Sequence, residues 1–137
     1  MKHKKDYPAA VKLLFWLPAA CIAAAIFWFS AQPAAESTEM SDTVSHLILL
    51  LGTKLGFFHG NPAQYADLIE LMSFPVRKTA HMTEYLVFYC AVRFGLHFTY
   101  QPLNVKRRLL TALAIVFLYA CTDEFHQYFV LDRSARI

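Results

Sequence analysis

Apolar residues gather in three long runs along the chain, and the polar residues gather between them. Leu13–Ser30 contains no charged residue, while Thr79–Phe98 and Leu109–Val130 are longer and carry a few charges each. At 1.5 Å per residue these runs reach roughly 27–33 Å, the thickness of a bilayer's hydrocarbon core. The pattern predicts an all-α fold. It is an integral membrane helical bundle, with three transmembrane helices at about 13–30, 79–98 and 109–130 and one or two outer amphipathic helices. Pro18 is expected to kink the first helix. A cleaved signal peptide fits that run less well, because it is long for one and Pro33 spoils the site after Gln32.

The outer segment, 31–76, has periodicities of its own. Val44, Leu47, Ile48, Leu51, Leu55 and Phe58 recur at helical spacing after Met40 and predict a helix over 40–58, ended by Gly60. Asn61-Pro62-Ala63-Gln64 reads as a cap, a first-turn proline and a reciprocal glutamine. Tyr65, Leu68, Ile69 and Met72 carry that second outer helix over 62–72. Pro75 is read as the first turn of the second transmembrane helix. The outer helices fit equally well along the outer membrane surface or packed over the mouth of the bundle.

A chain of 137 residues allows a single domain, 1–137, and 57% hydrophobic with 17% charged residues excludes disorder, collagen and a disulfide scaffold. Cys21, Cys90 and Cys121 all sit in apolar runs without zinc spacing and are read as buried free thiols; no metal and no cofactor is implied. The net charge of +3 is too small and too scattered for a nucleic-acid partner. Charge does decide orientation. Lys2, Lys4, Lys5, Lys12, Arg93, Lys106, Arg107 and Arg108, eight of the 13 basic residues, fall on one side of the predicted spans. The positive-inside rule places the N-terminus of this multi-pass membrane protein in the cytoplasm.

Some charges sit where they are costly. Arg77, Lys78, His81 and Glu84 fall in the first turns of the second span, with Arg77, His81 and Glu84 on one face at i, i+4, i+7. Asp123 and Glu124, followed by His126 and Gln127, fall near the end of the third. Cations at a helix N-terminus and carboxylates at a C-terminus both oppose the macrodipole. Both groups are expected at one depth, about 10 Å inside the outer surface. Ionisable residues at such depth are costly and mark a candidate site. A plain interhelical ion-pair network needs fewer groups than these.

The strings that carry these residues resemble a known family. Phe29-Ser30-Ala31-Gln32 closes the first span, Val76-Arg77-Lys78-Thr79-Ala80-His81-Met82-Thr83-Glu84-Tyr85 opens the second, and Tyr119-Ala120-Cys121-Thr122-Asp123-Glu124-Phe125-His126-Gln127 leads into Arg133. Together, from about Phe15 to Arg133, they resemble the VanZ-like family of bacterial membrane proteins. The resemblance implies a cell-envelope protein with a link to teicoplanin-type glycopeptide resistance. No reaction is established for the family. Its members usually continue past the arginine with a turn, an aspartate and a further helix, which this sequence lacks before Ile137. The resemblance therefore implies a bundle short of one wall, and self-association into a homo-oligomer as one way to cover it.

Two functions of different classes follow as expectations. The first is recognition of an anionic lipid or cell-wall precursor at the outer leaflet. Arg77 and Lys78 would pair with phosphate oxygens, and Gln32, Gln127 and Arg133 would add hydrogen bonds. The second is a membrane-embedded hydrolase or group transferase acting on a lipid-linked substrate. Its catalytic set would be Glu84 or Asp123 as general base, His81 or His126 as proton carrier, and Glu124 as a third carboxylate. Whether the protein is an enzyme stays open at this point.

Overall fold

The computed structural model describes residues 7–100 and 103–129. Four helices follow one another: α1 (Ala9–Ser30), α2 (Ala34–Lys54), α3 (Pro62–Thr99) and α4 (Val105–Phe129). The chain divides into two compact units, one holding α1 with residues 83–129 and the other holding residues 32–82.

Two helices are long and apolar enough to cross a membrane: α1, with a mean hydropathy of 2.1, and α4, with 1.4. Only 11% and 17% of their most apolar windows are buried within the protein, whereas the core helix of a water-soluble domain is mostly buried. Leu13, Leu14, Trp28, Leu113, Phe117 and Leu118 all point outward. Such faces need an apolar surround, which a bilayer supplies. The expected second span, 79–98, is helical but is not among the helices long and apolar enough to cross a membrane. Its cysteine and those of α1 and α4 correct the sequence reading: Cys21, Cys90 and Cys121 are free thiols, but exposed ones. They occupy the outward faces of apolar helices, where a small apolar side chain suits lipid as well as core.

The first unit packs α1, the last turns of α3 and α4 around Ala19, Ile26, Phe88, Val92, Leu96, Ala112 and Val116. Ala112 and Val92 are almost wholly buried, as small residues are where helices approach closely. Gly95 serves the same end. A Cβ there would stand 2.9 Å from Cδ2 of Trp16, so only glycine lets the indole lie on α3. The Trp16 indole N–H then reaches Thr99 Oγ1 at 3.2 Å.

In the second unit, α2 and the first turns of α3 form a hairpin. The helix expected over 40–58 runs instead over Ala34–Lys54. It stops at Leu55 because Gly56 takes a positive φ of 80°, with Phe57 N–H bonded to Gly52 O at 2.8 Å and Gly56 N–H to Thr53 O at 3.1 Å. The reciprocal cap before α3 is present: Gln64 N–H donates to Asn61 Oδ1 at 3.0 Å, and Asn61 N–H to Gln64 Oε1 at 3.1 Å. The helices expected over 62–72 and from Pro75 are one helix, α3, with Pro75 inside it. Proline removes one N–H donor, and a helix can run on through it where other contacts hold the turn. Pro18 likewise lies inside an unbroken α1.

The hairpin bears on the two placements left open for the outer helices. Val44, Leu47, Ile48, Leu51 and Leu55, the apolar stripe of α2, are all exposed. The buried residues of α2 are Ser41, Ser45 and Leu49. Ser41 and Ser45 return their hydroxyls to the carbonyls of Ser37 and Ser41, at 2.9 and 2.8 Å. Ser73 of α3 donates to Asp42 Oδ1 across the seam.

Candidate functional site

The candidate residues fall into two polar groups, one in each unit. In the first, Asp123 lies on the inner side of α4 and is only 5% exposed. Its Oδ2 accepts two hydrogen bonds, from the Tyr85 hydroxyl of α3 at 2.8 Å and from Gln127 Nε2 one turn on at 2.9 Å. The same Gln127 amide donates to Ser30 Oγ, at the end of α1, at 3.0 Å. One carboxylate thus ties α4 to α3 directly and to α1 through an amide. Nearby, the Tyr119 hydroxyl donates to Ala23 O at 2.6 Å.

Three polar atoms of the candidates in this unit remain open. Glu84 Oε2, Asp123 Oδ1 and His126 Nδ1 are buried and meet no hydrogen-bond partner among the described residues. Burying such atoms costs roughly 1–3 kcal/mol each unless a proton, a water or a ligand satisfies them. His126 is held edge-on against Phe27, with ring centroids 4.5 Å apart. Glu84 is half-buried and already engaged in other interactions. Glu124 is exposed on α4.

In the second unit, Arg77 is half-buried and bonded back onto α2. Its Nη2 donates to Thr38 Oγ1 at 2.9 Å, and its Nε lies 3.5 Å from Ser41 Oγ. Both partners are neutral, and among the described residues Arg77 meets no carboxylate. Lys78 is exposed, its ammonium 6.0 Å from the Phe74 ring centre. His81 and Gln32 are half-buried and engaged in interactions of their own. Arg133 lies outside the described residues. Two concavities of this unit, of about 330 and 140 Å³, contain none of the candidates; Tyr65 lines both. Among the described residues no group of His, Cys, Asp and Glu converges as a metal site would.

The structure therefore joins Asp123 and Gln127, two of the expected residues, and adds Tyr85 and Ser30 to them. It anchors Arg77 on Thr38 and Ser41, which the sequence reading left out. Tyr85 directly follows Glu84 in the string that opens the expected span, and Ser30 is the first polar residue after an apolar run. Both signals were available. Thr38 and Ser41 carried none, because a serine in a helix is ordinarily a solvated residue.

No curated protein and no solved structure matches the chain significantly. The VanZ/LLP1 family model matches residues 15–137, which include both polar groups and the two apolar helices α1 and α4. The chain belongs to the VanZ/LLP1 family of membrane proteins.

Proposed function

We propose that this is a multi-pass cell-envelope protein that recognises an anionic lipid or cell-wall precursor at the outer leaflet of the bacterial cytoplasmic membrane. The observation that carries the reading is Arg77. Its guanidinium donates to the neutral Thr38 hydroxyl at 2.9 Å, with Ser41 Oγ 3.5 Å from Nε. A cation positioned by neutral hydroxyls suits a phosphate, which arginine can take bidentately. Lys78 adds a second positive charge on the next residue. In this reading residues 79–98 of α3 are the second of three spans and the N-terminus is cytoplasmic. The resistance link of the family fits, since glycopeptides act on precursors displayed at the outer surface.

A second reading rests on Asp123 and His126. A buried carboxylate oxygen and a buried imidazole nitrogen, both open, are the equipment of proton transfer. With Glu84, His81 and Glu124 they would serve a hydrolase or group transferase acting on a lipid-linked substrate.

Native mass spectrometry of the purified protein with its retained lipids tests the first reading. A polyprenyl phosphate or other anionic lipid should be enriched over its share of the membrane, and Arg77→Ala with Lys78→Ala should remove the enrichment. Equal retention by both proteins would refute lipid-phosphate recognition by these residues.

A further inference from the structure

The hairpin of residues 34–74 is built inside out. Its seam holds Ser41, Ser45 and Ser73 with Leu49 and Gly52, Ser45 being wholly buried, while Leu47, Leu51, Leu55 and Phe57 are 53%, 51%, 70% and 78% exposed. A hairpin folded in water buries its leucines and shows its serines. The reverse order is what helices adopt in lipid, where small hydroxyl residues allow close packing and the apolar side chains face hydrocarbon.

The two helices are not equivalent in this respect. The outward stripe of α2, from Val44 to Leu55, is apolar, and Lys54 stands at its end. The outward stripe at the start of α3 is Gln64, Asp67 and Glu70, all exposed and polar. Beyond Glu70 it turns apolar, at Leu71 and Phe74. We infer that the hairpin meets lipid through the second half of α2, Val44 to Leu55, as its immersed layer, with the polar stripe Gln64, Asp67 and Glu70 of α3 as the layer in water.

Three observations favour lipid over a protein partner. The chain holds two helices able to cross a bilayer. Only residues 31–33 separate α1 from α2. At most about 10 Å of chain joins them, so a hairpin tethered to a membrane-crossing α1 has lipid within reach. Finally, the charges of the apolar half fit a membrane surface. Lys54, at its end, can extend its ammonium to headgroup phosphates, while the acids of the hairpin lie outside it, Glu36, Glu39 and Asp42 in the first half of α2 and Asp67 and Glu70 on α3. The tip of the hairpin, Leu55, Phe57 and Phe58, adds an apolar edge at the same end.

Site-directed spin labelling of the full chain tests this. Cys21, Cys90 and Cys121 are replaced by alanine, single cysteines are placed by Leu47→Cys, Leu51→Cys, Asp67→Cys and Glu70→Cys, and each labelled protein is put into nanodiscs of phosphatidylethanolamine and phosphatidylglycerol. All four positions are exposed, so labels there leave the packing intact. Labels at 47 and 51 should collide with oxygen several-fold more than with a water-soluble nickel chelate, and labels at 67 and 70 should show the opposite ratio. Nickel access at 47 and 51 would overturn the inference by placing α2 in water. Exclusion of both reagents there would overturn it in favour of a covering protein copy. Oxygen-rich labels at 67 and 70 would overturn the two-layer order.

Discussion

The Tyr85 hydroxyl and Asp123 Oδ2 lie 2.8 Å apart, and their hydrogen bond joins α3 to α4 in the apolar interior of the first unit. The same oxygen accepts the Gln127 amide. Asp123 thus accepts from two donors on one oxygen, and the two sides of the interaction are unequal.

Removing the acceptor should therefore cost more than removing a donor. Asp123→Ala strands both the Tyr85 hydroxyl and part of the Gln127 amide, at about 1–3 kcal/mol for each buried group left unsatisfied. Tyr85→Phe removes one donor and leaves Gln127 in place, at about 1 kcal/mol. Thermal unfolding in detergent, followed by circular dichroism, should rank Asp123→Ala well below Tyr85→Phe. Equal losses would show that water replaces Asp123 at no cost.

The Trp16–Gly95 contact gives a prediction on packing. Valine at 95 places its Cβ 2.9 Å from the indole and adds two methyl groups beyond it. Overpacking of this kind costs about 1–3 kcal/mol. Gly95→Val should lower the melting temperature, and Trp16→Leu in the same chain should recover part of the loss, although Trp16→Leu alone destabilises. Additive losses in that double-mutant cycle would mean that the two residues do not press on one another.

The Arg77 anchor predicts an asymmetry between two substitutions. Lysine keeps the charge but cannot reach two hydroxyls as a planar fork, and alanine removes both. Retained anionic lipid should fall several-fold in Arg77→Ala and by a smaller factor in Arg77→Lys. Glu84→Gln separates the two functional readings: lipid retention should persist in it, while any turnover of a lipid-linked substrate should be abolished. Loss of retention in Glu84→Gln would move Glu84 from a catalytic to a binding role.

Much of this was legible in the sequence, and the exceptions have physical causes. The Asn61–Gln64 cap was readable because it is local: two side chains three residues apart bond each other's backbone N–H. Asp123 stood out because a carboxylate in an apolar helix is costly. Pro75 misled because a proline favours a first turn and also survives inside a long helix, and single-sequence pattern does not separate the two. The α2 stripe left two placements open for a deeper reason. The period of Val44, Leu47, Ile48, Leu51 and Leu55 fixes a face, but it does not say whether that face meets protein or lipid. Ser41 and Ser45, which carry no apolar signal, mark the packed side because small residues let helices approach.

The last prediction concerns α3, whose passage through the membrane carries the orientation of both polar groups. Its residues 79–98 hold Glu84 and Arg93, so composition alone leaves the span undecided. The basic residues supply the expectation to be tested. Arg93, Lys106, Arg107 and Arg108 cluster around the α3–α4 connection, and Lys12 lies near the start of α1. Positive charges near helix ends stay in the cytoplasm. If α3 crosses, the start of α1 and the α3–α4 connection are both inside, and the α2–α3 turn at 55–61 is outside. If α3 does not cross, the turn and the connection share one side, and one basic cluster is forced outward. Accessibility of single cysteines to an impermeant maleimide in intact cells separates these cases. His59→Cys should react and Asn104→Cys should react only after the cells are opened. Equal reactivity of the two positions would remove α3 as a span, and with it the outer-leaflet placement of Arg77 and Lys78.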